Sequence, residues 1–409
     1  MPDFSKNIFG ELAKQASMQP QEKLQALQKK NNELFIGIPL ETTYQEKRIA
    51  LSPLSIQSLT NNGHQVVLES KAGQAANFED VQYSEAGAQI VYDKNSVYQA
   101  DIIVKVDPPT EEEIDLMKPG QIIISALQLT NLKKEYLNKL LKKKITAVAF
   151  EFLRDDGGSL PIIRAMSEIA GRASILLAAE YLNNSMDGKG ELLGGIPGVQ
   201  PTDIVILGAG AVGEYAARAA LGLGAHVTVF DDNLYKLRRL EQNIGQRIFS
   251  STMLPKVLSK ALQNCDVAIG ALRSSIGQSP CVVSEEMVQQ MRPKSLVIDV
   301  SIDQGGCFDT SRVTNHENPT FTKHDVLHYC VPNIASKFAR TSSYALSNIL
   351  TPIIKSIGRS GGFHNHIWED DGLRRGVYIY KGHLTNPNLA ARFSMNHKEL
   401  EFLIPGNEG

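Results

Sequence analysis

Three glycines, Gly208, Gly210 and Gly213, stand at G-x-G-x-x-G spacing in DIVILGAGAVGEYAARAALGLG, between an apolar run and a small-residue amphipathic stretch. That spacing suits a strand that turns sharply into a helix. The first glycine permits the turn, the second lets a pyrophosphate approach the backbone, and the third lets helix and strand pack closely. The helix start, from Gly210 through Ala211 and Val212 to Gly213, offers phosphate unpaired N–H groups and the positive end of the helix dipole. The next apolar run, HVTVF, ends at Asp231, 18 residues beyond Gly213. A carboxylate there accepts hydrogen bonds from the adenine ribose hydroxyls and repels a 2′-phosphate, so NAD is expected rather than NADP. Asp232 adds to that repulsion, whereas Lys236, Arg238 and Arg239 work against it.

These residues need a framework of strands to position them, and the sequence supplies two. In the first half, LFIGIP, HQVVLES, QIVY, ADIIVKV, GQIIISAL and ITAVAFEFL are short apolar runs separated by helical segments. In the second half, DIVILGAG, HVTVFD, VAIGAL and SLVIDV repeat the arrangement. Alternation of this kind predicts mostly parallel sheets covered on both faces. The long segment SEIAGRASILLAAEYLNNS is apolar on more than one face and reads as a buried connector helix. TSSYALSNILTPIIKSIG gives a second long helix, and in the tail GVYIYKG reads as a strand and NPNLAARFS as a helix folded onto the body. Only the second half carries a glycine fingerprint, so a substrate domain first and a cofactor domain second are expected, with the reaction in the cleft between them.

Composition narrows the class. The chain has 409 residues, with 42 Lys and Arg against 44 Asp and Glu, so no global charge favours nucleic acid or an acidic membrane. The four cysteines (Cys265, Cys281, Cys307, Cys330) form no CxxC pair, which argues against a zinc site or disulfide framework and for a reducing cytoplasm. No apolar run is long enough to span a membrane, and the N-terminus lacks a signal-peptide pattern. His364 and His366 lie near Asp370 and Asp371, but a polar loop is expected there and no metal.

Several segments together resemble the family of alanine dehydrogenases and the nucleotide-binding (alpha) subunits of pyridine nucleotide transhydrogenases. They are GIPLETTYQEKRIALSP, MSEIAGR, GGIPGVQPTDIVILGAGAVG, VTVFDDNLYKLRRL, VIDVSIDQGGCFDTSR and HYCVPNIASKFARTSSYAL, and the likeness spans about residues 34–357. MSEIAGR and IDQGGCF are more similar to the dehydrogenase branch. The resemblance implies an α/β fold of two Rossmann-like, doubly wound domains with a cleft between them. It divides the chain into an N-terminal helical arm (1–33), a substrate domain (34–165 with 340–409) and an NAD-binding domain (166–339). It implies NAD-dependent oxidation of L-alanine to pyruvate and ammonia, with a small anionic amino acid or 2-oxo acid as substrate, and a homo-oligomer, hexamer or dimer. Residue by residue, Ser167 matches a dinucleotide contact, Asp231 and Lys236 the adenosine-ribose end, and Ile302, Asp303 and Asn333 the nicotinamide surroundings. Arg48 matches the arginine that holds the substrate carboxylate, a task suited to a planar bidentate guanidinium.

Two positions depart from the family pattern. Asp107 stands where the family has a lysine, and Gln128 where it has a catalytic histidine. Asp107 would repel a carboxylate, and Gln128 can exchange hydrogen bonds but no proton. Lys105, two residues before Asp107, would share its side of an ideal strand but matches a second family lysine and is no replacement. Asp303 is then the remaining candidate acid–base, with Arg48 as anchor and Gln128 orienting the carbonyl or amine. Three functions stay open on this reading: an NAD-dependent dehydrogenase with doubtful turnover of alanine, a catalytically silent NAD-binding or sensor protein, and a transhydrogenase-like nucleotide-binding subunit.

Overall fold

The first apolar runs become the strands β1 (Phe35–Ile38), β2 (Gln65–Glu69), β3 (Gln89–Val91), β4 (Ile102–Val104), β5 (Ile122–Ser125) and β6 (Thr146–Ala149) of a computed structural model. The structure describes residues 33–403 except 44, 130–131 and 274–277, so the expected arm over 1–33 lies, save its last residue, outside the described residues. These six strands pair in parallel, and every residue of β4, β5 and β6 is buried. Cover on both faces explains why the runs are apolar throughout rather than alternating. Side chains such as Ile103 and Ile123, with no exposed surface, each contribute roughly 1.5–3 kcal/mol by leaving water.

The connector is the helix α1 (Pro161–Tyr181), begun by a proline whose missing N–H would have had no helical partner. It packs along α2 (Ala211–Gly222), the helix that opens with the glycine fingerprint after strand β7 (Asp203–Leu207). Contact is close at Gly171, where any Cβ would stand 2.4 Å from the Val212 carbonyl oxygen. The second sheet continues with β8 (His226–Phe230), β9 (Phe249–Ser251), β10 (Val267–Gly270), β11 (Leu296–Asp299) and the hairpin β12 (Thr320–Lys323) and β13 (Val326–Tyr329). Helix α3 (Ala339–Arg359) then returns to the first core, and the tail supplies β14 (Val377–Tyr380) and β15 (His383–Leu384).

The first sheet has the order β15-β14-β6-β5-β4-β1-β2-β3 and the second β12-β13-β11-β10-β7-β8-β9. The expected two Rossmann-like sheets are present, with antiparallel strands confined to one edge of each. The tail folds onto the body as expected, β14 pairing with β6. His364 and His366 lie not in the expected polar loop but on a short helix, Phe363–Glu369, where His364 Nδ1 is 3.1 Å from the Tyr380 hydroxyl and His366 Nε2 3.4 Å from Asp370. Among the described residues no cluster of His, Cys, Asp and Glu is set to hold a metal, and no helix is long and apolar enough to cross a membrane.

Strand order reverses between β1 and β4 in one sheet and between β7 and β10 in the other. Such switch points open a crevice at the carboxyl ends of the strands, where ligands bind in open α/β sheets. Every residue singled out from the sequence for dinucleotide or substrate chemistry, save Ser167 on α1, lies in a segment that follows the carboxyl end of a strand.

Candidate active site

On the second sheet the glycine turn is built as its spacing predicts. Gly208 has φ +116° and a Cβ there would stand 2.5 Å from the Ala271 carbonyl oxygen, and at Gly213 a Cβ would meet the Gly208 carbonyl oxygen at 1.8 Å. Gly210, by contrast, faces open space, with nothing within 4 Å of a Cβ built there. Asp231 closes β8 in a buried position and is held on both oxygens: Ala209 N–H donates to Oδ2 at 2.8 Å and Asn233 N–H to Oδ1 at 2.8 Å. Lys236 Nζ stands 3.7 Å from the same carboxylate. A cavity of about 190 Å³ opens over this turn, lined by Gly210, Asp231, Asp232, Lys236, Leu272 and Arg273 among others.

On the first sheet the loop after β1 carries Arg48, and helix α3 pins that loop. Ser336, just before α3, accepts from Lys47 N–H, while Ser343 accepts from Ile49 N–H and Ser347 from Ser52 N–H. Arg48 then folds back on Glu46: Nε donates to Oε1 at 2.7 Å and Nη2 to Oε2 at 2.5 Å. Asn333, from the loop after β13, donates Nδ2 to the same Oε2 at 3.0 Å. Arg48 Nη1 lies 3.4 Å from the sulfur of Met166, next to half-buried Ser167 on α1. Burial alone would raise the Glu46 carboxyl, but the charge and hydrogen bonds of Arg48 outweigh it and hold the group below its ordinary value. Asn333 adopts φ +56°, a left-handed backbone that asparagine tolerates better than most residues.

The two departures from the family pattern meet. Asp107, after β4, is buried, and Gln128, after β5, donates Nε2 to its Oδ1 at 2.6 Å. Gln128 has φ +50°, a backbone conformation that costs a non-glycine residue on the order of 1–3 kcal/mol and is common at functional sites. Glu151, after β6, secures it: Oε1 accepts the N–H groups of Leu127 at 2.8 Å and Gln128 at 3.3 Å. The other oxygen of Glu151 is buried without a hydrogen-bond partner. Burial and the Glu46 charge push the Asp107 carboxyl up to about 6, against the pull of Arg48. Past the end of β4 at Val104 the parallel pairing continues, Lys105 N–H donating to Ile124 O at 3.1 Å and Ala126 N–H to Val106 O at 2.9 Å. The Lys105 side chain is fully buried, 2.9 Å from Glu113 and 3.3 Å from Glu41. Glu41, desolvated beside it, is pushed up to about 7.

Asp303 belongs to the second sheet's side, in a 3-10 turn, Ile302–Gln304, after β11. Buried Asp299 organises this turn, accepting from Ser301 N–H, Cys307 N–H and the Ser311 hydroxyl. Ile302 is buried whereas Asp303 is exposed, and the surrounding protein raises the pKa of its carboxyl against the opposing charge of Arg273. Among the described residues no hydrogen bond or ion pair joins Asp303 to Arg48, Asp107 or Gln128. The site is therefore two half-sites: Arg48, Asp107 and Gln128 from the first sheet, Asp303 from the second. The sequence reading missed Glu46, Glu151 and Arg273. Glu46 was visible two residues before Arg48, whereas nothing local marked Glu151 or Arg273.

With this geometry the chain can be set beside known proteins. Residues 37–170 match the family model described as "Alanine dehydrogenase/PNT, N-terminal domain" and residues 174–387 the corresponding C-terminal domain. The match reaches Pro387, inside the tail that the sequence motifs had left beyond residue 357. The chain is 38% identical over 367 residues to "Alanine dehydrogenase 2" of Staphylococcus aureus strain USA300, covering 90% of this chain and 98% of that protein. A solved structure of an "L-alanine dehydrogenase" superposes with TM-score 0.83 at 36% identity, covering 88% of this chain and 99% of the other. A transhydrogenase from Sinorhizobium meliloti shares the fold, with TM-score 0.75 at 21% identity, 86% of this chain and 99% of that one.

Proposed function

Because the chain belongs to the alanine dehydrogenase/PNT family, we propose that it is an NAD-dependent dehydrogenase of a small amino acid, nominally L-alanine. Alanine, NAD and water give pyruvate, ammonia and NADH. The observation that carries this reading is a half-buried arginine, Arg48, clamped by Glu46 beside it, whose carboxylate also accepts from Asn333 of the second sheet, in a chain whose second sheet carries a glycine turn suited to a dinucleotide. The open space at Gly210 fits a pyrophosphate there, with Gly208, Ala211, Val212 and Gly213 completing the turn. Asp231 and Lys236 would hold the adenosine ribose, and Ser167, Ile302 and Asn333 the nicotinamide end. When bound, NAD supplies the two-electron oxidant for the substrate α-carbon.

The chain's own residues supply the rest. Arg48 draws the substrate carboxylate to the first half-site. Asp303, its carboxyl raised by its surroundings, takes a proton from the substrate ammonium group and releases it to solvent, then takes one from the attacking water and passes it to the departing ammonia. Gln128, held by Glu151, orients the amine or carbonyl without titrating. Asp107, when ionised, turns carboxylates away from its end of the cleft and receives a cationic group. On the family resemblance we place the protein in the cytoplasm as a homo-oligomer, hexamer or dimer.

The experiment mixes purified protein with NAD and a panel of amino acids and follows NADH absorbance. Turnover with alanine or another small amino acid, lowered about 10²–10⁴-fold by Asp303→Asn, is the expected result. A second reading, an NAD-binding protein without the chemistry, is favoured by the 2.6 Å bond through which Asp107 and Gln128 satisfy one another. Measurable NADH binding with no turnover on any substrate would establish that second reading and overturn the first.

A further inference from the structure

A guanidinium carries its N–H donors in one plane, and the two edges of Arg48 meet different surroundings. The inner edge is taken: Nε donates to Glu46 Oε1 at 2.7 Å and Nη2 to Oε2 at 2.5 Å. Glu46 is saturated in turn, since Oε1 also accepts the Arg48 N–H at 2.9 Å and Oε2 the Asn333 amide at 3.0 Å. Its side chain is 1% exposed and that of Arg48 11%. On the outer edge Nη1 meets the sulfur of Met166 at 3.4 Å, and among the described residues no oxygen accepts from it. A thioether is a weak acceptor, so this edge of a largely buried cation is the one suited to an incoming anion.

The pair is fixed from the second sheet as well as from its own loop. Gln45, one residue before Glu46, has φ +74°, a left-handed backbone that is costly for a non-glycine residue and persists only where its surroundings enforce it. Ser336 Oγ donates to the Gln45 carbonyl at 2.7 Å and accepts from Lys47 N–H at 3.0 Å, while Gln45 Oε1 accepts from His316 N–H at 3.3 Å. With Glu46 on Asn333, three consecutive residues are thus tied to segments of the second half. The ion pair touches Asn333 itself and Met166 beside Ser167, the two residues assigned above to the nicotinamide end.

We propose that Glu46 is a positioning residue for substrate binding. By taking Nε and one N–H of Nη2 it fixes the guanidinium plane. The outer edge, Nη1 with the second N–H of Nη2, is then presented end-on to the carboxylate of a short 2-amino or 2-oxo acid. Met166 yields at that edge, a flexible side chain suited to moving aside. Glu46 neither exchanges a proton nor touches the substrate; it acts through Arg48. The proposal rests on the amino-acid dehydrogenase reading above.

The test is equilibrium binding of oxamate, an unreactive isostere of a short 2-oxo acid, to the NADH-loaded full chain by calorimetry. Glu46→Gln is expected to weaken oxamate binding about tenfold, the order for one hydrogen bond to a charged group, and to leave the NADH Kd within about threefold. On an Arg48→Lys background the same replacement should change oxamate affinity less than about twofold, because an ammonium is a point charge with no edge to aim. Where Glu46→Gln does not fold, Glu46→Asp, which keeps the charge and loses the reach, takes its place with the same expectations. Oxamate affinity unchanged or tightened by the replacement overturns the proposal, since Glu46 would then only offset the charge of Arg48. Equal weakening on both backgrounds, or a parallel loss of NADH affinity, also overturns it, because Glu46 would then be a general tie between the two halves. Either result leaves the dehydrogenase reading standing, whereas failure of wild type to bind oxamate overturns that reading and the proposal with it.

Discussion

Replacing Asp107 by asparagine tests the electrostatics of the cleft directly. Burial first, and then the charge of Glu46, raises this carboxyl from an ordinary 3.8 to about 6, with Arg48 opposing. At about 1.4 kcal/mol per pH unit, a shift of roughly two units corresponds to about 3 kcal/mol. The native chain thus holds this proton more tightly than the unfolded chain between pH 3.8 and 6. Stability contributed by the group therefore falls as the pH rises through that window and stays lower above it. Asparagine carries no charge, and its amide oxygen can still accept from Gln128 Nε2 as Asp107 does at 2.6 Å. Asp107→Asn is expected to match wild type near pH 4 and to exceed it by up to about 3 kcal/mol at pH 8. Urea unfolding at a series of pH values, read as midpoint and slope for each protein, measures the difference. If the two curves stay parallel across the range, Asp107 does not pay for its burial and the picture of a desolvated acidic cleft is wrong.

Glu151→Ala removes the acceptor of the Leu127 and Gln128 N–H groups, and each orphaned donor costs about 1–3 kcal/mol. A lower unfolding midpoint and a raised KM are expected, with Glu151→Gln retaining most of the stability; equal losses in both variants would show that the accepting oxygen is not what matters. Asp231→Asn keeps the Ala209 hydrogen bond but removes the charge that repels a 2′-phosphate, so the ratio of NADP to NAD affinity should rise at least tenfold. Fluorescence titration with both reduced cofactors measures that ratio, and an unchanged value would assign the discrimination to other groups.

The cofactor half of this molecule was legible in its sequence because its chemistry is local. Gly208, Gly210, Gly213 and Asp231 act through backbone geometry within one β–α–β unit, so spacing alone specifies where their atoms go. The strands were equally plain, since a sheet covered on both faces writes itself as unbroken apolar runs, as in β4, β5 and β10. The substrate half is assembled differently. The residues flanking Arg48 depend on distant partners, Glu46 on Asn333 and Lys47 on Ser336, 287 and 289 positions away in the chain, and Gln128 on Glu151 in the next strand's loop. Such partners leave no periodic signal, because each is fixed by sheet order rather than by neighbours in sequence. Lys105 shows the same limit: strand alternation says which side a residue takes but not that Glu113 and Glu41, eight residues ahead and 64 behind, hold its ammonium. The replacements at 107 and 128 belong to the same class. Read singly, each removes a function. Placed by the fold they form one hydrogen-bonded pair against Arg48 and Glu46, so losing the charge at one position and the titrating group at the other is a single change in the cleft's electrostatics, to be tested as a unit.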